Sequence, residues 1–260
     1  MRLDLLLVER GLAESRSQAQ RLVMAGQVRV DGQLVDKPAA AVPAVAAIEV
    51  DRGPRYVSRG GEKLEAGLRV FELDVQGLVA ADVGASTGGF TDCLLQYGAS
   101  RVYAIDVGHG ILAWKLRQNP QVIVMEGTNA RYVETLPEPV SLVTIDASFI
   151  SLKILLPVVR GWFGSMGGQV IALIKPQFEA GRSVVARGKG VVRDPAVHRQ
   201  VLLDVLKAAE TGGFGIKGLA RSPLLGPKGN AEFLAHLEYP GEIRHDLEEW
   251  VNEVAPSLEE

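Results

Sequence analysis

The 260-residue chain carries a single cysteine, Cys93, which excludes an internal disulfide and a multi-cysteine metal site. No metal is expected, and a reducing cytoplasm is the natural setting. No apolar run reaches the roughly 18–20 residues of a membrane span. Asp4 and Glu9 interrupt the early apolar stretch, so the N-terminus lacks a signal-peptide pattern. Aromatic residues make up 6%, and no base-stacking platform stands out. Neither sign of charge dominates, with 28 Lys and Arg against 31 Asp and Glu. Much of the acid lies after residue 240, which leaves the rest near neutral and permits a local basic stripe that grips nucleic acid. What is present is a 47% hydrophobic share, enough for one large domain or for a large and a small one.

The pattern changes near residues 51–60, where Asp51-Arg52-Gly53-Pro54-Arg55 reads as a linker. Before it, Leu3 to Val8 form a short apolar helix, and Ser15 with Gln18 has capping-box spacing. The second helix is expected to bury Ala19, Leu22 and Val23 and to end at Gly26. Val28-Arg29-Val30 alternates like a strand, Asp31-Gly32 signals a hairpin, and Ala44 to Val50 closes a small sheet. After the linker, strands are predicted at 78–83, 101–106, 122–125, 142–146, 169–175, 216–221 and 232–238. Helical patterns lie around 89–98, 110–118, 151–161 and 195–211. Such alternation implies an α/β fold with a mostly parallel sheet. The domains are therefore 1–50, a linker at 51–60, a main domain at 61–240 and an acidic C-terminal helix or tail at 241–260.

Asp82-Val83-Gly84-Ala85-Ser86-Thr87-Gly88-Gly89-Phe90 follows a buried strand. Its glycines permit a tight turn and close approach of a ligand, but the spacing is not the Gly-x-Gly-x-x-Gly of a pyrophosphate site. Asp106 ends the next strand about twenty residues on, where an acid accepts hydrogen bonds from both hydroxyls of a ribose. Gly127-Thr128-Asn129-Ala130-Arg131 follows the third strand and is placed to close over an adenine.

With Ser58-Arg59-Gly60-Gly61-Glu62-Lys63-Leu64, Asp146-Ala147-Ser148-Phe149-Ile150-Ser151-Leu152, Lys175-Pro176-Gln177-Phe178-Glu179 and Gly229-Asn230-Ala231-Glu232 added, the chain resembles the TlyA family from Arg2 to about Tyr239. The resemblance implies an S4 RNA-binding domain of α+β type followed by an FtsJ-like, Rossmann-like methyltransferase sheet of seven strands. It implies S-adenosylmethionine as cofactor, bound by Asp82, Gly84, Ala85, Ser86, Gly88, Gly89, Phe90, Asp106, Val107, Asn129 and Ala130. The family's Lys-Asp-Lys-Glu set falls on Lys63, Asp146, Lys175 and Glu232. The reaction implied is 2′-O-methylation of cytidine ribose in ribosomal RNA, with ribosomal subunits as partners. Arg2, Arg16, Arg21, Arg29 and Lys37 give the small domain a basic side, and Arg59, Arg182, Arg187 and Lys189 are further candidates for RNA contact.

A ribose hydroxyl is a poor acid, so methyl transfer needs alignment and a base. Lys175, at a strand end before Pro176, is the candidate base and must be neutral to serve. Burial, Lys63 and a sulfonium favour that form, whereas the carboxylate of Asp146 opposes it while holding the side chain in place. Glu232 orients Lys63 or the ribose. Taken alone, Asp146 could equally cap a helix starting at Ser148 or Phe149. Two other functions compete: a non-enzymatic RNA-binding assembly factor, and the membrane-active protein suggested by a haemolysin label in the family. The four intact catalytic-type residues argue against the first, and the missing apolar span argues against the second. A pseudouridine synthase also carries S4 domains, but no Gly-Arg-Leu-Asp stretch is present, and Arg2-Leu3-Asp4 lies at the wrong end.

Overall fold

A computed structural model describes residues 1–51, 53–181, 185–186, 188–243 and 246–255. The chain forms two compact units, Met1–Arg55 and Tyr56–Glu260. The second begins five residues before the expected start of the main domain at residue 61. Tyr56 is already in its core, and Val57 N–H donates to the Asp92 carboxylate at 2.8 Å.

In the first unit, α1 (Leu3–Glu9) and α2 (Arg16–Met24) pack on a three-stranded antiparallel sheet. Its strands are β1 (Val28–Val30), β2 (Gln33–Leu34) and β3 (Ile48–Val50), with β1 central. Leu3, Leu6 and Leu7 fall on one helical face and are buried, while Leu5 is exposed. The Ser15 hydroxyl accepts from Gln18 N–H at 3.2 Å, and the Gln18 amide oxygen accepts from Glu14 N–H, one residue further back than in a standard capping box. Asp31 and Gly32 both have positive φ, as a two-residue type I′ turn requires. Leu22 is only partly buried.

Asp4 is fully buried in this unit. It accepts from Arg2 Nε and Nη2 at 3.0 Å each, Arg16 Nε at 3.0 Å and Gln20 Nε2 at 3.1 Å. The Arg2 guanidinium, helped by Gln20 and Arg16, holds the carboxyl well below the usual carboxylate range against the opposing effect of burial. A carboxyl depressed by folding adds stability above its unfolded pKa of about 3.9 and loses it as pH falls further. Asp4→Asn is therefore expected to lower the melting temperature of the full chain at neutral pH, with a deficit that shrinks below about pH 4. Melting of both proteins across pH checks this, and a deficit of constant size would assign the effect to packing.

The second unit is a seven-stranded sheet flanked by helices. Its strands are β4 (Val79–Val83), β5 (Arg101–Ile105), β6 (Val122–Met125), β7 (Leu142–Ile145), β8 (Gly168–Ile174), β9 (Gly215–Arg221) and β10 (Phe233–Tyr239). Their order is β6-β5-β4-β7-β8-β10-β9, and β10 runs antiparallel to both its neighbours. All seven coincide with the predicted strands to within a residue or so. The helices are α3 (Gly60–Val70), α4 (Gly89–Gln96), α5 (Trp114–Arg117), α6 (Leu152–Val159), α7 (Pro176–Glu179), α8 (Pro195–Thr211) and α9 (Leu247–Val254).

The period of two along each strand divides the core. Ala81, Val143, Val170, Ala172 and Phe233 face the layer that holds α6, α8 and α9. Ala80, Leu142, Ile171, Leu173 and Leu234 face α3 and α4. Strand order reverses direction at β4, so a crevice opens at the carboxyl ends of β4, β5 and β7, the usual ligand position in such sheets.

Two expectations are corrected. The 110–118 pattern is helical only from Trp114 to Arg117. The preceding backbone is drawn instead around the Glu126 carboxylate, which accepts from Gly110, Ile111 and Leu112 N–H and pairs with Arg117. Arg117 first, then these amides, hold Glu126 below the usual range. Asp146 caps no helix: α6 starts at Leu152, and the Ser151 hydroxyl accepts from Lys153 N–H at 3.1 Å.

Candidate active site

The loop from Gly84 to Gly88 links β4 to α4. Gly84 has φ of 83°, and a Cβ there would stand 2.9 Å from the Asp146 carbonyl oxygen. A Cβ on Gly89 would stand 2.3 Å from Ser58 Oγ and 2.9 Å from Gly61 N. These glycines let neighbouring backbone close in, a reason the expectation of ligand approach did not include. Gly88 lines neither cavity beside the loop; it lies under Leu116 and Leu112.

Asp82 also differs from its expected role. It is fully buried, outside both cavities, and accepts from Thr91 Oγ1 at 2.7 Å and Thr144 Oγ1 at 3.3 Å. Burial pushes its carboxyl up to about 7 against those hydroxyl bonds. It ties α4 to β4 and β7 and touches no ligand space.

A cavity of about 300 Å³ lies at the ends of β4 and β5. Gly84, Ser86, Asp106, Val107, Asn129 and Ala130 line it, as the sequence led one to expect, with Ile111, Asp146 and Phe149 in addition. Asp106 Oδ2 accepts from Ser86 N–H and Oδ1 from Gly108 N–H, each at 2.8 Å, so this acid joins the loops after β4 and β5. Asn129 Oδ1 accepts from Arg131 N–H at 3.1 Å and caps a single 3₁₀ turn beginning at Ala130. Val83, Ile105 and Leu155 add apolar wall, and Thr128 and Ser148 add hydroxyls. An acid joined to two loops, an amide and apolar walls suit a nucleoside, with Asp146 at the side toward the other cavities. His109 packs on Gly127, and Trp114 is exposed.

A second cavity of about 240 Å³ adjoins it, lined by Arg59, Lys63, Ala85, Gly89, Phe90 and Asp146 among others. A further cavity of about 330 Å³ is lined by Ser148, Phe149, Lys175, Gln177, Phe178, Lys228 and Glu232 among others. Asp146, Ser148 and Phe149 connect these spaces, since each lines the first cavity as well as one of the others.

Lys63, Asp146, Lys175 and Glu232 come together here as two ion pairs, the first buried and the second partly buried. Lys63 Nζ lies 2.5 Å from Glu232 Oε2, with both side chains under a tenth exposed. Lys175 Nζ lies 2.6 Å from Asp146 Oδ1 and also donates to the Asp146 carbonyl at 3.1 Å and to Ser148 Oγ at 3.2 Å. Topology explains the meeting. Asp146 directly follows β7, Lys175 follows β8, and Glu232 precedes β10, whose Phe233 is paired with Ile174. Lys63 is in the first turn of α3 and is carried in by burial of Leu64 and Leu68. Each lysine is thus charge-matched by an acid beside it.

The sequence reading missed an aromatic pair. Phe149 is 90% exposed at φ 65°, a conformation bulky residues rarely adopt, and its ring lies 4.9 Å from that of Phe178. Both phenylalanines stand in stretches already singled out, but nothing in the spacing distinguishes them from core residues. Of the expected RNA contacts, Arg59 and Lys189 are exposed beside cavities. Arg21 bonds Ser17 Oγ, and Arg29 bonds the Gly32 carbonyl. Arg2 and Arg16 are tethered to Asp4 but remain about half exposed. Arg182 and Arg187 lie outside the described residues.

The strand order, the switch-point cavity and the paired lysines define a Rossmann-like methyltransferase. The FtsJ-like methyltransferase family matches residues 56–239, and the S4 domain matches residues 1–44. The chain belongs to the FtsJ-like methyltransferase family and carries an S4 domain at its N-terminal end. It is 46% identical to the 16S/23S rRNA (cytidine-2′-O)-methyltransferase TlyA of Mycobacterium tuberculosis, over 91% of this chain and 89% of that protein. It is 41% identical to Hemolysin A of Brachyspira hyodysenteriae, over 91% of this chain and 99% of that one. The solved structure of an S-adenosylmethionine-dependent methyltransferase from Mesorhizobium loti shares the fold. Its TM-score is 0.51 at 16% identity, covering 66% of this chain and 96% of that one.

Proposed function

We propose that this enzyme transfers a methyl group from S-adenosylmethionine to the 2′-hydroxyl of a cytidine in ribosomal RNA, in the cytoplasm. The observation that carries this reading is the pair of lysine–carboxylate contacts beside a nucleoside-sized cavity. S-adenosylmethionine fits that cavity: Asp106 takes the ribose hydroxyls, the Asn129-Ala130 turn and Val107 take the adenine, and Gly84 and Ser86, with Ala85, Gly89 and Phe90 of the adjoining cavity, take the rest. When bound, it supplies an electrophilic methyl group on a sulfonium.

This chain's residues then have one task, to align a hydroxyl and remove its proton. Lys175 is the base. Its nitrogen is held from one side by Asp146 and Ser148, and its side chain forms part of the wall of the 330 Å³ cavity. Lys63, held by Glu232, lines the adjoining cavity and orients the ribose. This makes Glu232 a positioning residue for Lys63. Arg59, and the S4 residues Arg2, Arg16, Arg21 and Arg29, hold RNA phosphates, which add affinity and register. Among the described residues no helix is long and apolar enough to cross a membrane.

Transfer of labelled methyl from S-adenosylmethionine to ribosomal subunits tests the activity, and calorimetry tests the cofactor. Asp106→Ala should weaken cofactor binding at least tenfold by removing both hydroxyl acceptors and loosening Ser86 and Gly108. Tighter binding of NAD than of S-adenosylmethionine would overturn the assignment.

A further inference from the structure

We propose that Glu179 is a positioning residue for methyl transfer, which latches the segment carrying Asp146 and Ser148 onto the segment carrying Lys175. The proposal rests on the ribose-methylation reading and goes beyond it to name what holds the base in line.

Asp146 to Ser151 connect β7 to α6 without regular structure. From this stretch the Asp146 carboxylate and carbonyl and the Ser148 hydroxyl hold the Lys175 nitrogen. Phe149, next along, sits at φ 65°, a strained conformation for a bulky residue that lasts only where the surroundings enforce it. The sheet fixes one end of the stretch, where Asp146 N–H donates to the Val83 carbonyl at 2.9 Å. Glu179 fixes the other. Its Oε2 accepts from the Ser151 hydroxyl at 2.6 Å and its Oε1 from Leu152 N–H at 2.8 Å.

Glu179 differs from an ordinary helix cap in where it comes from. α6 already has a local cap, because the Ser151 hydroxyl accepts from Lys153 N–H. Glu179 lies 27 positions beyond Leu152 and grips the capping hydroxyl itself. It stands at the end of α7, the single turn that follows Lys175, and a spacing of four turns both side chains toward the same neighbouring segment. The two segments therefore meet at three levels. Lys175 meets Asp146 and Ser148, the Phe178 ring meets that of Phe149, and Glu179 meets Ser151 and Leu152. Bonds from a carboxylate to a hydroxyl and a backbone N–H are short and directional, so they set the register where a ring contact can slide. Glu179 is half-buried and lines none of the three cavities of the site, so it acts through the residues it holds. Without it the stretch relaxes at Phe149 and carries Asp146 and Ser148 away from Lys175.

The test measures single-turnover methyl transfer to ribosomal subunits at saturating cofactor and RNA, with the full chain and at a temperature where melting shows each variant folded. Cofactor affinity, and RNA affinity in the presence of S-adenosylhomocysteine, are measured on the same preparations. Glu179→Ala should slow transfer by roughly 10²-fold, the cost of displacing such groups by about 1 Å. Both affinities should stay close to wild type, because Asp106, Asn129 and the arginines are untouched. Glu179→Gln keeps an oxygen that accepts from Leu152 N–H and should recover most of the rate. Ser151→Ala removes half of the latch and should slow transfer by a smaller factor, and adding it to Glu179→Ala should cost nothing more. A wild-type rate in Glu179→Ala would overturn the proposal, as would a wild-type rate in Ser151→Ala, which decides the matter if Glu179→Ala does not fold. Two substitutions whose effects multiply, or a fall in cofactor affinity as large as the fall in rate, would also overturn it. Each of these outcomes leaves ribose methylation standing. A wild type that places no methyl group on ribose would remove the underlying reading and this proposal with it.

Discussion

Lys175→Arg is expected to cut single-turnover methyl transfer by roughly 10²- to 10⁴-fold, the usual contribution of a general base. Guanidinium keeps the charge beside Asp146 but cannot give up its proton at a workable pH, so it cannot accept another. Lys175→Ala should fail to the same extent. Cofactor binding should survive in both variants, because Lys175 lines the 330 Å³ cavity and not the one that contains Asp106. Calorimetry on the same preparations separates the two effects. Near-normal turnover by the Arg variant would make Lys175 an electrostatic clamp and assign the proton to water or another group.

The Lys63–Glu232 pair should show the largest effect on stability. Both side chains are buried, so Glu232→Ala leaves an unmatched ammonium inside the protein, at a cost of about 3–5 kcal/mol. Glu232→Gln should cost less, because the amide oxygen still accepts from Lys63. Replacing both partners, Lys63→Met with Glu232→Leu, should recover most of the lost stability, because no charge is then stranded. Methyl transfer should stay lost in the double variant, which separates the pair's part in the fold from its part in chemistry. Urea unfolding and transfer assays on all three variants check this. A double variant as unstable as Glu232→Ala would show that packing, and not charge matching, dominates here.

Much of this arrangement is legible in one sequence. Strands show as short apolar runs, and residues at their ends are forced toward the same edge of a parallel sheet. Asp146 and Lys175 are therefore brought together by topology once the strands are placed, whereas Glu232 joins them only because β10 runs antiparallel and begins at that edge. Asp106 was readable for the same reason, by its distance from the glycine loop. Pairing was less legible. Glu232 meets Lys63 across 169 positions of chain, and nothing local chooses between Lys63 and the ribose as its partner. The glycines were read as clearance for a ligand, but their nearest neighbours are Asp146 and Ser58, contacts that exist only after folding. Asp82 reads like Asp106, an acid in a strand, yet its position inside β4 buries it, whereas Asp106 directly follows the end of β5. Phe149 was hidden because an exposed aromatic at positive φ has no signature in composition or period. The segment before α5 looked helical because its apolar spacing fits, and the Glu126 carboxylate draws those amides away.

The acceptor of the methyl group is expected to be a ribose oxygen. Ribosomal subunits are incubated with the purified protein and S-adenosylmethionine carrying a labelled methyl group. The RNA is digested to nucleosides, and each is fragmented by mass spectrometry. Labelled cytidine is expected, with the extra methyl leaving on the sugar fragment. A methyl group that stays with the base would contradict it, as would ribosomal RNA that gains no label.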